Sequence, residues 1–83
     1  MEKYYISSRS LTESQRMQRA LERAGIRSAV VKLPAGLSEG GCGYALSLTR
    51  RIEDAVETLK RANIKLNRIY VTSGEGVFRE VMY

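Results

Sequence analysis

The sequence predicts a small α+β domain: two β-α-β units building one four-stranded antiparallel sheet, with both helices on the same face. Three observations carry this expectation. Leu21-Glu22-Arg23-Ala24-Gly25-Ile26 returns 38 residues later as Leu59-Lys60-Arg61-Ala62-Asn63-Ile64. Each copy closes an amphipathic helical pattern, because Gly or Asn can take the left-handed conformation that ends a helix while the following Ile packs back on its last turn. Short β-branched or aromatic runs flank both helices.

The elements follow in order. Tyr4-Tyr5-Ile6 reads as the first strand. Ser10 with Glu13 three residues on is a capping-box start, with Thr12 and Gln15 as a second candidate. Met17, Ala20, Leu21 and Ala24 then recur at helical spacing. Ala29 to Leu33 is the second strand and Tyr44 to Leu48 the third. Thr49 is the expected cap of the second helix, whose stripe is Ile52, Ala55, Val56, Leu59 and Ala62. Glu53 and Asp54 suit the positive helix start, and Glu57 with Arg61 forms an i,i+4 pair. Arg68 to Thr72 is the fourth strand. Two such units with right-handed crossovers give a ferredoxin-like βαββαβ sandwich over residues 1–72. Residues 73–83 form a C-terminal extension, expected as an edge strand or a dimer contact, because Val77, Phe78, Val81, Met82 and Tyr83 are apolar.

Length and composition exclude several function classes. Eighty-three residues make one domain, which buries roughly 60–65% of its unfolded surface and leaves little interior for a large cofactor; none is expected. One Cys allows no internal disulfide, and the absence of His removes a four-ligand zinc site and any Ser-His or Cys-His pair. No metal site is expected. Met1 to Ser10 lacks the apolar core of a signal peptide, and no apolar run approaches bilayer length. A single free thiol suits a reducing compartment, so the cytoplasm is the expected location and no membrane partner is expected.

Cys42 is the residue on which chemistry can rest. It lies in Gly40-Gly41-Cys42-Gly43, at the end of a loop, Pro34 to Gly43, in which four of ten residues are Gly. Gly41 and Gly43 let another molecule approach the sulfur and let consecutive N–H groups face an anion. In the expected topology the first two strands run parallel, so this loop lies at the sheet edge where Ser8, Arg9 and Ser10 begin the first helix. The helix start and Arg9 would lower the thiol pKa. The same residues are compatible with a small side chain filling a Gly-rich turn.

Other charged features are weaker. Arg16, Arg19, Arg23 and Arg27 lie along one side of the first helix and its exit, and Arg50 and Arg51 open the second. A basic stripe can neutralise phosphates, yet Tyr4, Tyr5, Tyr44 and Tyr70 are scattered where an RNA-binding sheet needs stacking platforms, so a solvated helix face is the simpler account and nucleic acid is not the expected partner. The Gly-rich stretch leads into a strand rather than a helix and is no phosphate loop.

The segments Lys-Tyr-Tyr-Ile, Leu-Glu-Arg-Ala-Gly-Ile, Cys42-Gly43 entering Tyr-Ala-Leu-Ser-Leu, and Leu-Lys-Arg-Ala-Asn-Ile before Ile-Tyr resemble those of the small bacterial selenium/sulfur carrier-like proteins. The resemblance covers about residues 3–72. It implies that Cys42 holds sulfur or selenium as a persulfide-like adduct, that the chain is a carrier or accessory protein rather than a turnover enzyme, and that its partners are the donor and acceptor enzymes, with a homodimer also open. The alternative is a non-catalytic module that binds protein or, less in keeping with the residues, RNA.

Overall fold

The computed structural model describes residues 2–33, 43–66, 68–73 and 77–82. Along them run β1 (Lys3–Ser8), α1 (Leu11–Arg23), β2 (Ala29–Lys32), β3 (Tyr44–Leu48), α2 (Ile52–Arg61), β4 (Ile69–Thr72) and β5 (Phe78–Val81). The strands form one antiparallel sheet in the order β2-β3-β1-β4-β5. Because β1 and β2 are both antiparallel to β3, they run in the same direction, and each β-α-β unit crosses over one intervening strand.

The sheet has five strands where four were expected. The fifth comes from the tail: β5 pairs with β4, Ile69 opposite Val81 and Thr72 opposite Phe78. Its physical reason is alternation. Val81 packs against the core on one face, while the Phe78 ring meets the Tyr5 ring on the other, centroids 5.6 Å apart. One four-residue strand thus covers apolar surface on both sides of the sheet edge.

Register sorts the side chains. Ile6 lies opposite Leu46 and Ile69, and Tyr4 opposite Leu48 and Val71. Ile6, Leu46, Leu48 and Ile69 share one buried cluster with Met17 and Leu21 of α1 and with Ile52, Ala55, Val56 and Leu59 of α2. Both helices therefore close the same sheet face. The opposite face carries Tyr5, Ser7, Ala45, Ser47, Tyr70 and Thr72, of which all but Tyr5 are buried.

The repeated helix ends close as the repeat requires. Gly25 takes φ +77° and Asn63 φ +59°. Ile26 N–H donates to Leu21 O at 2.8 Å and Gly25 N–H to Glu22 O at 3.0 Å; Ile64 N–H donates to Leu59 O at 3.0 Å and Asn63 N–H to Lys60 O at 3.1 Å. These are two Schellman caps, each burying its Ile. Ala24 and Ala62, expected in the apolar stripes, are instead the exposed C-cap residues, because each helix ends one residue before them.

The start of α2 also corrects the sequence reading. Its N-cap is Arg51, not Thr49, in a left-handed conformation (φ 58°, ψ 37°) without a side-chain cap. The Arg51 guanidinium does the local work: Nε donates to Asp54 Oδ2 at 3.2 Å, and the terminal nitrogen donates to Gly25 O at 3.3 Å. Arg51 thereby ties the start of α2 to the end of α1. The Glu57–Arg61 ion pair forms as its spacing requires.

Candidate functional site

The site is built where β1 ends, β3 begins and α1 starts. Ser8, the last residue of β1, lies opposite Tyr44, the first of β3. It is 5% exposed, and its hydroxyl lies 3.1 Å from Tyr44 O, 3.2 Å from Ser10 O, and in short contact with Ser14 Oγ. A hydroxyl has one proton, and carbonyls only accept. Ser8 can therefore satisfy only one of these as donor, and in its bond with Ser14 either hydroxyl can donate. One buried hydroxyl pair thus joins β1, β3 and the first turns of α1.

Ser10 caps α1. Its φ of −154° is extended backbone, and its Oγ accepts from Glu13 N–H at 3.1 Å. Glu13 Oε1 reaches back to Arg9 N–H at 3.4 Å, one residue earlier than in a reciprocal capping box. The N–H groups of Leu11 and Thr12 have no intrahelical acceptor, which is the ordinary state of a first turn and the origin of its positive potential. Arg9 is exposed and makes no side-chain ion pair among the described residues, so its charge adds to that potential.

Gly43 is where the long loop returns to the sheet. It is buried, and its carbonyl accepts from Leu33 N–H at 2.9 Å, which extends the β2–β3 ladder by one pair. Tyr44 follows, held by Ser8. Cys42 and Gly41 lie outside the described residues. The structure brings Gly43, Ser8, Arg9 and Ser10 to one end of the sheet. Of these, Ser8 bonds within the protein to Ser14 and to backbone carbonyls, and the Ser10 oxygen accepts from the helix start.

Sequence reasoning missed Ser14. It is fully buried and occupies the stripe that continues to Met17 and Leu21. A polar residue at that spacing, one helix turn from a Ser-Arg-Ser run, was the available signal. It also missed the gathering of aromatic rings. Tyr5 and Tyr70 sit directly opposite each other on the face away from the helices, beside Phe78, with Lys3 Nζ 5.8 Å from the Tyr5 ring centre, while Tyr4 and Tyr44 belong to the helix-covered face. Tyr70 is nevertheless 6% exposed, which leaves little of its ring to stack on.

Among the described residues no group of three His, Cys, Asp or Glu side chains could hold a metal ion, and no helix is long and apolar enough to cross a membrane. The described residues form an α+β domain of two helices on a five-stranded antiparallel sheet. The family model described as "Putative Se/S carrier protein-like" matches residues 3–71, from the first residue of β1 into β4. The chain belongs to that family. No curated protein matches it.

Proposed function

We propose that this protein carries sulfur or selenium as a persulfide-like adduct on Cys42. The reading rests on membership of the carrier-like family and on one geometric observation: Ser8 and Tyr44 hold the chain two residues beyond Cys42 against the start of α1. On this reading the Cys42 thiolate attacks the outer sulfur of a donor persulfide, for example on a cysteine desulfurase. The Cys42 S–S bond forms, the donor S–S bond breaks, and its electron pair leaves on the donor thiolate. An acceptor nucleophile then attacks the same outer atom and returns Cys42 as thiolate. No external oxidant or reductant enters either step. Gly41 and Gly43 give access and backbone N–H groups, while Arg9 and the α1 start favour the anionic forms.

The chain needs no acid–base residue for this exchange and acts as carrier rather than turnover enzyme. The order β2-β3-β1-β4, with parallel β1 and β2 separated by β3, supports a ferredoxin-like core to which β5 is added. The test is mass spectrometry after incubation with a cysteine desulfurase and cysteine. A gain of one sulfur atom, localised to Cys42 and abolished in Cys42→Ser, is expected. No adduct with several persulfide donors would overturn the proposal. A binding module without sulfur chemistry would instead keep its partner in Cys42→Ser.

A further inference from the structure

The arginines of α1 are better explained as one lined groove than as a solvated face. At about 100° per residue, Arg16, Arg19 and Arg23 fall within roughly 60° of one another around the helix. They line a cavity of about 290 Å³ together with Ala20, Ala62 and Ile64. Its floor is aliphatic, three guanidinium groups form its wall, and no carboxylate lines it. None of the three makes an ion pair among the described residues, although Arg51, Arg61 and Arg68 all do. Ala62 and Ile64 belong to the repeated helix end, so the Schellman closure of α2 supplies two of its three aliphatic lining residues.

We infer that this groove docks an acidic, amphipathic helical segment of a partner protein. The occupant follows from the lining. Glu or Asp at i, i+3 and i+7 of a partner helix matches the spacing of Arg16, Arg19 and Arg23, and small apolar side chains between them match Ala20, Ala62 and Ile64. A nucleic acid fits less well. No aromatic side chain lines the groove for base stacking, and three phosphate contacts are few beside the 6–10 of a strongly salt-dependent binder. The inference does not depend on Cys42. It adds a place where a protein partner is held, on the exposed side of α1.

The test uses the full chain and a fluorescent synthetic helical peptide of roughly 16 residues made of Glu, Ala and Leu, with Glu at i, i+3 and i+7. Fluorescence anisotropy should show saturable binding that weakens with salt. In 15N-labelled protein the Arg16, Arg19 and Arg23 side-chain signals should shift first. R16A/R19A/R23A, at exposed positions and checked by circular dichroism, should bind roughly tenfold or more weakly, since each lost contact contributes a small factor. R16K/R19K/R23K should recover much of the loss, and Cys42→Ser should bind as wild type, which separates this inference from the carrier reading. Peptide binding unaffected by the triple alanine variant would overturn it. So would a single-stranded RNA of similar length binding more tightly than the peptide at physiological salt.

Discussion

Ser8→Ala should be among the most damaging single-atom deletions in this chain outside the apolar core. The substitution removes the hydroxyl that reaches Tyr44 O and leaves Ser14 Oγ, in a fully buried residue, without its partner. Stranding a buried donor costs about 1–3 kcal/mol, whereas losing one hydrogen bond whose partner can re-pair costs about 0.5–1.5 kcal/mol. We expect about 2 kcal/mol for Ser8→Ala, a fall in Tm of roughly 8–16 °C for a domain of this size. Ser14→Ala should cost far less, because Ser8 keeps its carbonyl acceptors and Ala is the better helix former by a few tenths of a kcal/mol or more. The double variant should then be more stable than Ser8→Ala alone, by about 1 kcal/mol, since no hydroxyl remains stranded. Urea denaturation of the four proteins closes the cycle. Additivity within about 0.5 kcal/mol would show that the two hydroxyls do not act as a pair.

Other outcomes follow from the caps and the thiol. Gly25→Ala meets no atom within 4 Å of the new Cβ, so its cost should be the left-handed backbone alone, about 1–2 kcal/mol; thermal melting that matches wild type would contradict this. Arg51→Gly trades two exposed contacts, each worth about 0–1 kcal/mol, for relief of a left-handed residue, so its stability should lie within about 1 kcal/mol of wild type, while Arg51→Val should fall well below both. On the carrier reading, Cys42 alkylation in the folded protein should reach half its maximal rate at a lower pH than in urea. A thiol reacting only above its ordinary range would remove the activated-sulfur part of the proposal.

Much of the architecture was legible because this chain states it twice. The two Leu-x-Arg-Ala-Gly/Asn-Ile ends fixed the helix stops and, with them, which apolar residues face the sheet. Tyr44–Leu48 was bounded correctly for the same reason: a Gly-rich loop before it and a helix after it leave the strand no freedom in length. The misreadings have one common cause. Periodicity marks where a helix could run, not where its first hydrogen bond forms. Thr49 has the right chemistry for a cap, but Arg51 turns the chain, and its contacts with Asp54 and Gly25 lie in tertiary structure. Ser14 was passed over because a hydroxyl in an apolar stripe looks like an interruption until its partner on another element is known. At the candidate site, the parallel run of β1 and β2 was legible from the two β-α-β units, whereas the hydroxyl contacts of Ser8 with Ser14 and Tyr44 join three elements and have no local signature.

The exposed strand β5 raises the question of what keeps it from pairing with a second copy of itself. Two identical edges can pair antiparallel only about a two-fold axis normal to the sheet, and such an axis leaves each side chain on its own face. Directly opposed residues then share a face, so the two registers centred on this strand oppose either two copies of Arg79 or two copies of Glu80. Like charges directly opposed destabilise a strand pair, and the strand is only four residues long. Within the protomer Glu80 already faces Arg68 across β4, at 3.9 Å, so its charge is better placed inward than against its own copy. Phe78 and Val81 are accommodated by pairing within the chain, while Val77 and Met82 stay exposed, and an association of two copies through β5 would have to slip off centre and give up hydrogen bonds. R79T/E80T should associate more readily than wild type in sedimentation equilibrium; a wild-type dimer with hydrogen-exchange protection on the β5 amides would show this reasoning to be wrong.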